Sequence, residues 1–289
     1  MSTVSVDVPV LKHIFHPSDF SAASDTAFAH ALKAALVAQA GLTILHVAKD
    51  EKRDWTNFPG VRETLIRWDL LPRNSVTADV SRLGIGVEKV QAFHDDPVES
   101  VTAYLEKHHA DLIVLATDQN KERTLWLSRS IAAPIARKSR QMTLFIPKGT
   151  YGFVSMKDGS ITLKNVLIPI AAAPSAQPAI HAVMRLIHRL NCPSGTVTLL
   201  HVGDKNSLPH LQLPDIKGWN WNTVVRNGDI IDVILDMASE IKADLIAMTT
   251  EGRNGFLDAL RGSHSERVLR RTPCPLLAIP ADGLMASMM

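Results

Sequence analysis

Short apolar runs of 4–6 residues recur along the chain, "VLIPI", "VTLLHV", "DLIAM" and "PLLAI" among them, and suit strands buried on both faces. Between the runs the period changes. Ile180, Val183, Met184, Ile187 and Leu190 recur at helical spacing and form one apolar stripe. That helix is expected to stop at "NCPSG", where Pro193 cannot continue it. Its first-half counterpart is expected to start near Ser21 or Ser24, both suitable N-caps, and to end before Gly41. Strands joined by helices predict right-handed crossovers and a doubly wound α/β sheet.

The pattern occurs twice. "IFHPSDFS" is echoed by "LIPIAAAPS" with Pro17 over Pro169, and "LTILHVAKD" by "VTLLHVGDK" with His46 over His201. "ADLIVLATD" is echoed by "ADLIAMTTE" with Asp111 over Asp244, and "IARKSRQMTLFIP" by "VLRRTPCPLLAIP" with Pro147 over Pro280. The offsets are 152, 155, 133 and 133, so the first half holds 22 additional residues (155 less 133) between its second and third strands. These observations predict two fused domains of one kind. The first spans 1–150 with an insertion at about 51–86, and the second spans 165–281. Between them, 151–164 carries Asp158-Gly159 flanked by short apolar segments, a hairpin signal that predicts an ordered linker. The Met-rich residues 282–289 are expected to be a flexible tail.

Composition narrows the class. With 289 residues, 46% hydrophobic and 21% charged, the chain can bury two cores. Its 31 basic and 29 acidic side chains leave a net charge of +2, which gives no reason to expect a nucleic-acid or membrane partner. The two cysteines, Cys192 and Cys274, are too few for a disulfide framework, no long apolar run is present, and a signal peptide is not expected. A cytoplasmic location is the expectation.

Taken in order and twice over, these motifs resemble the universal stress protein family: a first strand ending in Pro, an amphipathic helix, a second strand ending "LHV", an "ADLI" fourth strand, and a last strand after a "CP"-like element. The resemblance implies two tandem Rossmann-like domains of the adenine nucleotide alpha-hydrolase-like kind, each a doubly wound five-stranded parallel sheet. It further implies that the domains pair through their last strands, around Leu144-Phe145-Ile146 and Leu276-Leu277-Ala278, as an internal pseudo-dimer, with a homodimer expected beyond that. Family members that bind ATP resemble one another in an Asp after the first strand, which holds adenosine, and in a loop after the fourth strand, Gly-two-Gly-nine-Gly-Ser/Thr, whose amides take phosphates. The physics agrees, since ligands of such sheets sit outside the strands' carboxyl ends, and amides at a helix N-terminus favour an anion.

Each half holds a different part of that pattern. The first has Asp19 in "HPSDFS", but offset 133 sets Gln119, Glu122 and Arg129 against Gly252, Gly255 and Gly262, so only Ser130 keeps its type, against Ser263. Asp19, Val47 and Ser130 are therefore expected to be vestiges, with Asp118 and Glu122 hostile to a triphosphate. The second half keeps Gly252, Arg253, Gly255, Gly262 and Ser263, together with Val202 after its "LH", as a candidate nucleotide or anion site. Only six residues, Phe256 to Arg261, separate its last two glycines, and Ala171 stands in the place of Asp19. The alternative to an anion site is a turn in which glycine relieves backbone strain.

Other candidates reduce to structural roles. The chain has no Gly-x4-Gly-Lys-Ser/Thr and no Gly-x-Ser-x-Gly. Gly84 and Gly86 are expected in the loop before the third strand, and His94-Asp95-Asp96 at a helix start, Asp96 near the N-terminus. His181, His188 and Cys192 could share a helix face and hold zinc with another ligand, but two exposed histidines and a packed cysteine are the expected account. His46 and His201 are expected to be satisfied by backbone at strand ends. Trp219 and Trp221 are expected in a loop leading into the third strand, and Arg253, Arg261, Arg267, Arg270 and Arg271 on a solvated helix face. Neither a catalytic nor a metal site is expected. No cofactor is certain, with ATP or another adenine nucleotide the candidate. The functional expectation is a non-catalytic stress-response binding or regulatory module with degenerate nucleotide sites. The rivals are an ATP-binding, weakly hydrolysing switch using the second-domain loop, and a protein-interaction scaffold using the insertion around Trp55 to Leu71.

Overall fold

The computed structural model describes residues 11–48, 55–117, 129–250, 268–269 and 271–281. The first half runs β1 (His13–Pro17), α1 (Ala22–Ala38), β2 (Gly41–Ala48), α2 (Val61–Arg67), β3 (Val87–Phe93), α3 (Pro97–Lys107), β4 (Leu112–Thr117), α4 (Arg129–Ser139) and β5 (Met142–Pro147). The second runs β6 (Asn165–Ile170), α5 (Gln177–Arg189), β7 (Gly195–Val202), β8 (Trp219–Arg226), α6 (Ile230–Glu240), β9 (Leu245–Thr250) and β10 (Leu276–Pro280). All ten strands form one sheet in the order β3-β2-β1-β4-β5-β10-β9-β6-β7-β8. Neighbours within each half are parallel, whereas β5 and β10 meet antiparallel with Leu276 opposite Phe145 and Leu277 opposite Leu144. Two Rossmann-like halves thus share one continuous sheet.

Strand periodicity divides the core in two. Along β5, Leu144 and Ile146 face the side covered by α1 and α5, while Phe145 faces the side covered by α3, α4 and α6. On β10 the alternation repeats, with Leu277 and Ile279 on the first side and Leu276 and Ala278 on the second. Each apolar layer therefore crosses the β5–β10 seam without a break. All six residues of β4 are buried, which accounts for its unbroken apolar run.

Helix starts follow their caps. Ser24 donates its amide to the Ser21 hydroxyl before α1, Asp96 takes the amides of Val98 and Glu99 before α3, and Asp229 takes those of Ile231 and Asp232 before α6. The repeated "ADLI" also has a mechanical meaning. Asp111 Oδ2 accepts from Lys12 and His13 amides, at 2.7 and 2.9 Å, and Asp244 Oδ2 accepts from Lys164 and Asn165, both at 2.8 Å. In each half the aspartate before the fourth strand pins the start of the first. Asp244→Ala is expected to cost about 1–3 kcal/mol, because it removes a charge-assisted acceptor from two amides at once. Urea denaturation of the variant checks this, and a loss below about 0.5 kcal/mol would refute it.

The linker is held by the first half. Val154 bridges Ile161, and Gly159 turns with φ 68° directly against the Trp68 ring. Phe153 and Val154 both donate amides to Nε2 of buried His30, whose Nδ1 donates to the Thr26 carbonyl at 2.8 Å. The insertion completes the contact, since Arg67 Nε and Trp68 Nε1 both donate to the Met156 carbonyl. Val61, Leu65, Trp68 and Leu71 are buried, so the apolar face of the insertion belongs to the core.

One expectation is corrected. Trp219 and Trp221 stand in β8 and not in a loop before it. Trp219 is buried against Gly195 and donates its indole N–H to the Cys192 carbonyl, and Trp221 donates to the Pro214 carbonyl. "WNWNTVV" alternates aromatic and polar, then ends in β-branched residues, which is the pattern of an edge strand with one covered face.

Candidate functional site

Because β5 and β10 are antiparallel, the carboxyl ends of the strands lie on opposite edges of the sheet in the two halves. Each half has its own crevice, beside β1 and β4 in the first and β6 and β9 in the second, where strand order reverses. Asp19 therefore belongs to one edge and the strand leading to Gly252 to the other.

In the first half, Asp19 Oδ1 accepts from the Ser21 amide at 2.9 Å, and the Ser18 hydroxyl accepts from the Phe20 amide. These bonds hold Phe20 at φ 62°, a left-handed conformation that costs an L-residue about 1–2 kcal/mol. The side chain compensates by stacking. Its ring lies 3.9 Å from the His46 ring and meets Phe58 edge-on at 5.1 Å, with Trp55 beyond Phe58 at 5.4 Å. His46 Nδ1 donates to the Ser18 carbonyl at 2.8 Å, and burial holds the imidazole pKa below its ordinary value. The carboxyl ends of β1 and β2 are thus covered by the protein's own aromatic rings, and Phe58 comes from the insertion. Val47 is buried in the layer under α3, and Ser130 stands in the first turn of α4. Asp19 and Val47 share an edge, but the Asp19 carboxylate is engaged by its own turn.

In the second half no carboxylate follows β6. Ala171 is exposed, and α5 begins without a side-chain cap bond at Ala176. Val202, the last residue of β7, is half-buried. His201 is hydrogen-bonded to the Ile170 carbonyl through Nδ1 and to Ser207 Oγ through Nε2, at 3.3 and 2.9 Å. At the carboxyl end of β9, Thr249 Oγ1 is buried without a hydrogen-bond partner among the described residues, while its neighbour Thr250 donates to the Ile279 carbonyl. Thr117, ending β4, likewise has a buried hydroxyl with no partner among the described residues. Gly252, Arg253, Gly255, Gly262 and Ser263, like Asp118, Gln119 and Glu122, lie outside the described residues.

Arg271 of the basic segment pairs with Asp232 at 2.7 Å. Among the described residues no cluster of His, Cys, Asp or Glu could hold a metal ion. His181 Nε2 meets the Gln177 amide at 3.1 Å, and burial pushes the Cys192 thiol up to about 11 and the Cys274 thiol to about 12, so both stay protonated. Nor is any described helix long and apolar enough to cross a membrane. The aromatic cover from Phe20 and Phe58 and the buried Thr249 hydroxyl are absent from the sequence reading. The aromatic "WTNF" in the insertion is the one signal that pointed there.

A model described as the universal stress protein family matches residues 11–147 and 214–280. The universal stress protein E homolog of Haemophilus influenzae is 41% identical over 58 residues, 20% of this chain and 19% of that protein, so the match spans about a fifth of that relative. A universal stress protein of Synechocystis is 26% identical over 142 residues, 42% of this chain and 88% of that protein. Among solved structures, a universal stress protein from Archaeoglobus fulgidus superposes with a TM-score of 0.60 over 93% of this chain and 98% of its own, at 18% identity, a likeness of fold. The stretch 148–213 outside the matched segments contains β6, α5 and β7, and with them the strand end that lacks a carboxylate.

Proposed function

Since the chain belongs to the universal stress protein family, we propose that it is a non-catalytic stress-response binding module whose first half takes no nucleotide and whose second half receives a small phosphorylated ligand. The observation that carries this reading is the stack of Phe20 and Phe58 on His46, which fills the room above β1 and β2 with side chains. A base entering there would have to unstack two rings, one of them held at a left-handed residue. In the second half the strand ends carry Ala171 and a Thr249 hydroxyl with no partner among the described residues, and the chain leads on to Gly252, Gly255, Gly262 and Ser263. Glycine amides and a hydroxyl suit phosphate oxygens, while Ala171 stands where the first half has Asp19. Affinity would come from the phosphates alone, so ATP, AMP and inorganic phosphate should differ in order of charge and not by the presence of adenine.

Calorimetric titration, paired with nucleotide analysis of the heat-denatured protein, tests this. The expected result is no stoichiometric ATP in the purified protein. Phosphate-dependent binding should be lost in Gly252→Asp and Gly255→Asp and unchanged in Asp19→Ala. Stoichiometric ATP release, or an equal loss on Asp19→Ala, would overturn it.

A further inference from the structure

A cleft lies over the β5–β10 seam, on the face covered by α1 and α5. Helix α1 packs on β4 and β5, and α5 on β9 and β10, leaving the strip above the seam open between them. The helix residues beside the strip include Ala34, Ala38 and Ala182, too short to close it, and the result is a cavity of about 510 Å3. That volume is in the range of small-molecule sites. Its floor is aliphatic, formed by Met142, Leu144, Leu277 and Ile279 from the two halves.

The rim has one sign of charge. Lys33, Arg140, Arg185 and Arg189 all line the cleft, against the single acid Asp111, whose Oδ2 is held by the Lys12 and His13 amides. Arg185 is half-buried and makes neither a hydrogen bond nor an ion pair with any described residue. Burial holds its pKa below the ordinary value, and Arg189, one turn further along the same helix face, also has no ion-pair partner among the described residues. A guanidinium partly removed from water and left without a counter-ion among the described residues is costly, and an anion at the mouth of the cleft would relieve that cost. Of the two histidines at the cleft, His30 is buried, which lowers its pKa to about 4, and His109 meets Gln141 through Nδ1 and lies 4.0 Å from Asp111 Oδ1 through Nε2.

We propose that the cleft binds a fatty acid, its alkyl chain along the seam strands and its carboxylate at Arg185 and Arg189. The aliphatic floor suits an alkyl chain, and the cations select an acidic head. Such a ligand would touch both halves at once and report on their pairing, independently of the strand-end crevices.

Calorimetry of the full chain with dodecanoate, below the concentration at which it forms micelles, is the test. Saturable one-to-one binding is expected. Arg185→Gln should weaken it by roughly tenfold or more, and dodecanol should bind the unaltered protein more weakly by a similar factor. Ala34→Phe should remove binding while the melting temperature stays within a few degrees, and Arg189→Gln serves as a second charge variant. The proposal falls if dodecanol binds as tightly as dodecanoate, if no saturable binding occurs, or if a folded Ala34→Phe protein keeps its affinity. Leu11 and Pro280, which line the cleft, are close in sequence to residues 1–10 and 282–289. Binding that appears only after truncation at Ala281 would identify the chain itself as the occupant and refute a free fatty acid.

Discussion

Phe145→Ala is expected to lower the stability of the whole chain by about 3–5 kcal/mol, the cost of removing a buried phenyl ring and leaving a cavity. Phe145 is 0% exposed and stands opposite Leu276 across the antiparallel seam, in the layer that also holds Leu115, Ile135 and Ala278. Because that layer continues from one half to the other, the loss should appear in a single unfolding transition. The midpoint should fall by on the order of 10 °C. Tyr151→Ala makes a suitable control, since Tyr151 is 93% exposed and its removal should change stability by less than about 0.5 kcal/mol. If Phe145→Ala lost less than about 1 kcal/mol, or split the melt into two steps, the halves would not share a core.

Acid should destabilise the protein before its carboxylates begin to titrate. His16 and His30 are both buried, and burial lowers each pKa from 6.5 to about 4. His16 donates Nδ1–H to the Val114 carbonyl, and His30 uses Nε2 as an acceptor for two linker amides, so both rings are built into the fold as neutral bases. Below pH 6.5 the unfolded chain takes up protons that the folded chain refuses. The stability tied to the neutral rings is therefore complete above 6.5 and is lost as pH falls toward 4. By pH 5 the loss is on the order of 2 kcal/mol for each ring. Urea denaturation at pH 7 and pH 5 measures it, and His30→Gln should reduce the difference by about half. A stability unchanged between those pH values would contradict the neutral, buried assignment of both rings.

Much of the architecture was legible because it rests on local chemistry. Ser21, Asp96 and Asp229 cap the helices they precede, and the two "ADLI" aspartates stand where the offset of the repeat put them, each beneath a first strand. Strand β8 was less legible because its position was inferred from alignment with the other half, while its own alternation carried the answer. The site divides in the same way. The glycines of the second half can be read from sequence because their spacing is a local pattern, although they lie outside the described residues. The ring cover over β1 and β2 cannot be, since it depends on Phe20 adopting a left-handed backbone and on an insertion residue folding back to meet it. The cleft above the seam is harder still, being bounded by α1, α5, the linker and two strands that meet only through tertiary packing.

The linker fastened to His30 and Trp68 also changes the thermodynamics of the β5–β10 pairing. Two free domains would meet at a rate and an equilibrium set by their concentration, and would sample other partners with the same exposed last strand. Here one edge is delivered to the other by a tether that is itself folded onto the first domain, so the effective concentration is high and fixed. Dilution should leave the pairing intact, and melting should not depend on protein concentration through this seam. The strand edge that a single domain would offer to any neighbour is occupied from within.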